Sequence, residues 1–422
     1  MRDAMAENES GNPSRAEPDW PPVVVGSAYY SANLLMRDLS RRGVKVCCVD
    51  VNSDQPAFRS VYGKAYVCPN PDDRPAEWVE FMTSLAAKFQ GKPVFIPSGD
   101  MFVTALARHA RELAEHYTFH ESAVALQAKL ATKEEQYALA AECDMPIPRT
   151  RYAETEQDVE DFAASARFPC LLKPLHSREW EAAPSRHPYY CQKLVTETSA
   201  EGLLAAYREA AKINPKVVLQ EVIEGPDTAK VVYLSCYGRD GKRLASFVVR
   251  ELRCWPIHYG SASVVEPVDD PEADAVCDRF LRGVGYVGLC EIELKRDTRD
   301  SRIKMIEANP RYTMTSDAAP YAGVDLGWIH YLDLIGRDVA PVHSNGRDFR
   351  HINLLRDVSC LASYRQAGLE TWGSILRSYR APRAFFDFDP RDWKVTATVL
   401  KRLVRIVAGQ TYRKVFPKRP AR

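Results

Sequence analysis

The sequence has no CxxC pair among its eleven cysteines, no GxGxxG after its first strand-like segment, no internal repeat, and no apolar run approaching the length of a membrane span. Each absence excludes something. Scattered cysteines without metal-type spacing, several of them (Cys47, Cys48, Cys170, Cys290) inside apolar strand-like runs, suit buried thiols in a reducing compartment and argue against a disulfide framework or thiol catalysis. The polar stretch Met1 to Trp20 lacks the apolar core of a signal peptide, so it reads as a disordered tail on a cytoplasmic protein. The turn Gly26-Ser27-Ala28-Tyr29-Tyr30 gives a pyrophosphate too few close backbone approaches, which argues against a dinucleotide site even though Asp50 ends the next strand. A net charge of +1 with 45% hydrophobic residues describes an ordinary globular chain with no pull towards nucleic acid.

What is present divides the 422 residues into two or three domains. Pro22 to Gly26, Ala32 to Arg42 and Val44 to Asp50 form a strand-helix-strand unit, followed by the strand Val94 to Pro97 and a helix from Asp100 through Arg111. Asp100, at the carboxyl edge of such a sheet, is either a substrate contact or a helix cap. Lys129 to Cys143 is helical and stops before the proline-punctuated Met145-Pro146-Ile147-Pro148. Strands then dominate, which predicts an α+β domain with antiparallel sheets after a parallel α/β domain. The expected boundaries are a tail over 1–20, a parallel domain over 21–125, a second domain over 126–338 with a small subdomain near 150–222, and a basic helical region over 339–422.

Chemistry concentrates near Lys304-Met305-Ile306-Glu307-Ala308-Asn309-Pro310-Arg311 and the preceding strand Cys290-Glu291-Ile292-Glu293-Leu294. Side chains two apart on a strand share a face, so Glu307, Asn309 and Arg311 project together, opposite Glu293 across a hairpin. Magnesium takes one or two carboxylates and completes its shell with water and phosphate oxygens, so this spacing predicts a binuclear magnesium site and nucleotide chemistry. An exposed salt-bridged hairpin is the alternative, but Asn-Pro-Arg is poor strand sequence unless a site requires it. Lys173 ends the apolar run Pro169 to Leu172, an unfavourable place for a charge without an anion. Gln220 to Ile223 leaves a strand into a turn closed by Gly225, with Asp227 just beyond.

The order of two lysines, a strand-turn hinge, a Glu and Glu-x-Asn-x-Arg resembles the ATP-grasp ligases from about Pro22 to Gly336. Ile257 to Pro267 is similar to the phosphate-side loop of the carbamoyl-phosphate synthetase large subunit. The resemblance implies a parallel pre-ATP-grasp domain before an ATP-grasp fold, with ATP and two magnesium ions, or manganese in their place, as cofactors. It assigns ATP phosphates to Lys133 and Lys173, adenine to Gln220, Glu221 and Ile223, ribose to Asp227, the phosphate-side loop to His258 and Gly260, and metal to Glu293, Glu307 and Asn309. Arg311 would face the transferred phosphoryl group or the acyl phosphate. Glu291 shares a face with Glu293, but the fourteen residues from Glu293 to Glu307 suit the synthetase-like hairpin better. Leu175 to Tyr190 contains no glycine where the family covers the phosphates with a glycine-rich flap, so Arg178, Arg186 and His187 would supply charge instead. Pro56 to Ser60 and Arg356 to Tyr364 further resemble a subgroup similar to D-aspartate ligase.

The implied activity joins a small-molecule carboxylate to an amine through an acyl phosphate. Arg253 is the candidate for gripping the substrate carboxylate. Two other readings compete. One is a nucleotide sensor without catalysis, whose mark would be loss of Glu307 or Arg311 chemistry; the other is a bicarbonate-activating carboxylase or carbamoyl-type enzyme, which should carry or depend on a biotin-carrier or amidotransferase segment. Lys401 to Arg422 holds eight basic and no acidic residues interleaved with apolar ones. That pattern is compatible with weak contact to an anionic membrane surface, though a core-packed helix with a solvated basic face is the simpler reading. A homodimer is compatible with the resemblance. His109, His116 and His120 read as surface or helix-end histidines.

Overall fold

The computed structural model describes residues 20–175, 179–180 and 182–415. Its first sheet holds β1 (Val23–Gly26), β2 (Val46–Asp50), β3 (Lys64–Val67) and β4 (Val94–Pro97), all parallel in the order β3-β2-β1-β4. The segment VVVG is apolar throughout because both faces are covered: Val23 and Val25 pack towards helix Tyr30–Ser40, Val24 towards Trp78, Phe95 and Phe102. Chain order reverses between β1 and β4, so their carboxyl ends open a crevice of the kind that holds ligands in such sheets. The helix expected from Asp100 to Arg111 breaks at His109 into Asp100–Arg108 and Ala110–Ala114. Likewise Val124–Leu130 and Lys133–Glu142 are separate helices, because Thr132 is extended between them.

A second sheet, in the order β5-β8-β6-β7, is antiparallel: β5 (Thr150–Ala153), β6 (Cys170–Pro174), β7 (Val195–Glu197) and β8 (Val217–Glu221). Helices Glu156–Ala163 and Ala200–Ala210, started by Thr155 and Ser199 side-chain caps, cover one face. Cys170, Leu172 and Leu219 pack under them. The alternate residues Leu171, Lys173 and Gln220 therefore point the other way, towards the third sheet.

That third sheet has seven strands in the order β13-β12-β9-β10-β11-β14-β15. They are β9 (Lys230–Tyr237), β10 (Arg243–Trp255), β11 (Ser261–Pro267), β12 (Gly288–Arg296), β13 (Ile303–Asn309), β14 (Arg350–Ile352) and β15 (Arg383–Phe385). Helix Pro271–Gly283 buries Ala273, Cys277, Phe280 and Leu281 against its back. The C-terminal region is not purely helical as expected, since β14 and β15 extend this sheet and pair with each other in parallel. The basic end forms helix Trp393–Val415. No helix among the described residues is long and apolar enough to cross a membrane.

Candidate functional site

Two adjoining cavities flank the third sheet, the smaller facing the second sheet and the larger facing the carboxyl edge of the first. The smaller, about 190 Å³, has Leu171, Val222, Ile223 and Ile306 as apolar wall and Lys133, Lys173 and His258 as cations or polar groups around it. The larger, about 440 Å³, runs to the carboxyl ends of β1 and β4, where Ser27, Ser98 and Gly99 line it. Glu293, Glu307, Lys193 and Ser261 line both. A narrow slot with one apolar wall, opening past a pair of carboxylates into a roomier chamber, can hold a flat ring at one end and reacting groups at the other.

The carboxylate pair follows from strand register. Glu293 sits directly opposite Glu307 and Glu291 opposite Asn309 in the β12–β13 ladder, so all four share one face. Glu291 is occupied: Thr313 Oγ1 donates to it at 2.6 Å and Asn309 Nδ2 at 3.2 Å, and burial followed by the Glu293 charge pushes its carboxyl up to about 7. Glu293 is freer, its nearest cation being Lys230 Nζ at 3.7 Å. Burial raises the Glu307 pKa, with Lys133 and then Lys173 among the charges that counter it. Among the described residues no three Asp, Glu, His or Cys side chains close around a point. Glu293, Glu307 and Asn309 place hard oxygen donors on one face, the residue types that could hold a magnesium ion whose remaining shell is water and phosphate oxygens. Asn309 Oδ1 accepts from Arg311 Nη2 at 3.1 Å, and Arg311 is also paired in a fork with Asp100, Nη2 to Oδ2 at 3.1 Å. Asp100 is therefore tied to Arg311 and does not cap its helix, whose N-cap is Gly99.

Lys173 is 8% exposed and donates to Gln220 Oε1 at 3.0 Å over the Tyr137 ring. Burial first, and the Lys133 charge second, push its ammonium down to about 7, with Glu307 opposing. Gln220 uses its amide fully, Nε2 donating to Tyr137 Oη at 2.9 Å and Thr150 Oγ1 at 2.8 Å, so it aims Lys173 rather than offering free groups to a ligand. Glu221 lines the slot, but its carboxylate turns to the Arg167 backbone N–H at 2.9 Å. Gly260 is forced by space: a Cβ there would lie 1.9 Å from the Trp255 carbonyl carbon, where Gly260 N–H closes a tight loop on Pro256 O at 2.7 Å.

Two expectations do not fit. Asp227 is 5% exposed and enclosed by His258 Nδ1 at 3.0 Å, the His258 backbone N–H at 3.3 Å and the Tyr364 hydroxyl. Burial alone would raise its pKa, but those hydrogen bonds hold it below the usual value. It orients His258, whose own backbone has a φ of 72°, and has no side towards a ribose. Arg253 is 1% exposed and lies behind the cavity wall, Nε and Nη2 donating to Asp357 at 2.8 and 3.0 Å. It anchors helix Leu354–Gln366 to β10 and cannot reach a substrate. In the stretch Leu175 to Tyr190, His187 pairs with Glu209 at 3.5 Å, and Arg178 lies outside the described residues. His120, expected at the surface or a helix end, pairs with Asp333 at 2.9 Å.

Residues not foreseen in these roles also line the two cavities. Lys230 lies 2.9 Å from Glu251, whose carboxyl is pushed up to about 7 chiefly by burial, against the Lys230 charge. Burial works against the Lys230 charge as well, but Glu251 and Glu293 more than offset it. Lys230 opens an otherwise apolar strand, a signal that the same argument used for Lys173 would have caught. Lys193, His351 and Asn353 carried no such signal, whereas Arg356 opens the segment Arg356 to Tyr364 already singled out by resemblance.

No family model matches the chain. Over 207 residues it is 24% identical to the C-terminal section of the carbamoyl phosphate synthase large chain of Methanopyrus kandleri, covering 47% of this chain and 36% of that one. Over 222 residues it is 24% identical to the D-alanine--D-alanine ligase of Ectopseudomonas mendocina, covering 48% and 63%. The chain thus spans less than two thirds of the length of these curated relatives. Among solved structures it is similar to N5-carboxyaminoimidazole synthetase from Staphylococcus aureus complexed with ADP, with a TM-score of 0.62, 12% identity and 83% and 87% of the two chains covered. It is also similar to the biotin carboxylase domain of the Hydrogenobacter thermophilus 2-oxoglutarate carboxylase in complex with MgADP, ADP and bicarbonate, with a TM-score of 0.58, 16% identity and 76% and 70% covered. The chain has the ATP-grasp fold.

Proposed function

We propose that this ATP-grasp protein is a ligase that uses ATP to activate a carboxylate as an acyl phosphate and joins it to an amine, releasing ADP and phosphate. The observation that carries the reading is the position of Glu293 and Glu307, opposite each other in register at the junction of the base-sized slot and the polar chamber. Lys133 and Lys173 stand where they meet the phosphates of a nucleotide whose base lies against Leu171, Val222 and Ile223. Glu293, Glu307 and Asn309 would hold the magnesium, which would neutralise phosphate charge.

A carboxylate resists amine attack because its oxygen is a poor leaving group, and phosphorylation turns that oxygen into part of a phosphate. Negative charge builds on the transferred group, and Lys173 and Arg311 offset it from fixed positions at low cost in reorganisation. Arg311 must slacken its hold on Asn309 for the amide oxygen to turn to metal, which couples metal binding to arginine placement. Water must be kept from the acyl phosphate; Lys193, on the loop leading into β7, lines both cavities and stands where a lid would close. The relatives' ligase chemistry supports the reading. An ADP-release screen over amino acids, small carboxylic acids and bicarbonate tests it: stimulation by an acid with an amine is expected. Stimulation by bicarbonate alone would favour the carboxylase-type reading, and no stimulation by any pair would remove the ligase assignment.

A further inference from the structure

Resting on the ligase reading, we infer that β14 and the helix Leu354–Gln366, which lie beyond the acid hairpin in sequence, form a two-point subsite for an amino-acid acceptor, with Arg356 gripping its carboxylate and His351 taking the proton from its amine. The Arg253–Asp357 ion pair fixes the helix to β10, and Asn353 caps it by accepting from the Arg356 backbone N–H at 3.0 Å. That anchoring leaves Arg356 facing the larger cavity. Its guanidinium makes a marginal hydrogen bond to Ala262 O at 3.5 Å and pairs with no carboxylate among the described residues, whereas the neighbouring Arg311 holds Asp100 in a fork. A half-buried guanidinium without a carboxylate is an anion receptor in waiting, and its planar fork matches a carboxylate in two hydrogen bonds.

His351 lies on the same cavity wall. Its Nε2 faces the fully buried Asp317 at 2.9 Å, and Asp317 is held from its other oxygen by Arg37, while the ring stacks on Phe386 with centroids 5.7 Å apart. A carboxylate on Nε2–H fixes the tautomer in which Nδ1 carries the lone pair, the arrangement of an imidazole oriented as a base. The acceptor arrives as an ammonium ion, and His351 Nδ1 takes one proton to free the lone pair that attacks the acyl-phosphate carbonyl carbon as the C–N bond forms. The C–O bond to phosphate breaks with its electron pair leaving on phosphate, which carries away the second proton lost from nitrogen. The chamber of about 440 Å³ has the volume of a small-molecule site.

The test compares two nucleophiles at one acyl phosphate. Each L- and D-amino acid is supplied as acceptor with ATP and, as the acid, each amino acid or small carboxylic acid, with and without hydroxylamine, which lacks a carboxylate and is already unprotonated at neutral pH. Amide and hydroxamate are both measured. Arg356→Ala and His351→Gln are each expected to lower the amide-to-hydroxamate ratio by about tenfold or more, the scale set by one lost charged hydrogen bond or a lost general base. Arg356→Lys should fall between Arg356→Ala and the parent. An unchanged ratio in either Arg356→Ala or His351→Gln, or parallel loss of both products, overturns the subsite. Absence of hydroxamate from the parent with every acid removes the ligase reading itself, and the subsite with it.

Discussion

Replacing Lys173 by Met should make the ligand-free protein more stable and worse at holding nucleotide. The lysine is pushed from 10.5 to about 7 by burial and by Lys133, so the unfolded chain keeps a proton there that the folded chain gives up. Stability must therefore rise with pH between about 7 and 10.5, because the unfolded state binds more protons over that range. At about 1.4 kcal/mol per pKa unit, the penalty is roughly 4 kcal/mol at pH 7 and about 2 kcal/mol at pH 9. Met removes the penalty and keeps the volume, but leaves Gln220 Oε1 without its donor, at a cost of about 1–3 kcal/mol. The net expectation is a gain of about 1–3 kcal/mol at pH 7 by urea unfolding, shrinking by about 2 kcal/mol at pH 9 as the parent catches up. Adding ADP should narrow or reverse the order, since phosphates favour the ammonium and so stabilise the parent more. A difference between the two proteins that does not change with pH would refute the reasoning.

Glu307→Gln should weaken magnesium-dependent ADP binding, by calorimetry, by at least the roughly 10- to 100-fold that loss of an outer-sphere partner costs, while leaving metal-free ADP binding close to the parent's. Gly260→Ala should destabilise by about 1–3 kcal/mol and lower ADP affinity, because its Cβ lands on the Trp255 backbone; a melting curve and affinity equal to the parent's would contradict the loop geometry. Arg253→Ala should cost about 3–5 kcal/mol by leaving Asp357 buried and unpaired, an effect seen in unfolding without any substrate present.

What could be read from the sequence is what strand alternation controls. The acid hairpin has the expected facing pairs because side chains of both strands alternate up to the site, and the irregularity in its register falls just past Glu293. Lys173 declared itself by ending the apolar CLLKP, all of it buried. Arg253 misled because the same alternation fails in β10. Its register with β11 shifts on both sides of Arg253, so Glu251 lines the chamber while Arg253, two residues on, does not. Asp227 looked open because one of the two residues that enclose it, Tyr364, is 137 positions away. β14 and β15 have three residues each, too few to carry a period, so the wall that holds His351 and leads into Arg356 was hidden inside a region that read as helical.

The central claim is that a carboxylate oxygen becomes part of the released phosphate. With ATP and a coupling acid whose carboxylate oxygens are isotopically heavy, mass spectrometry of the inorganic phosphate should find one heavy oxygen for each amide formed. Unlabelled phosphate released in step with amide would contradict an acyl phosphate and, with it, the part of the Glu293–Glu307 pair in making one.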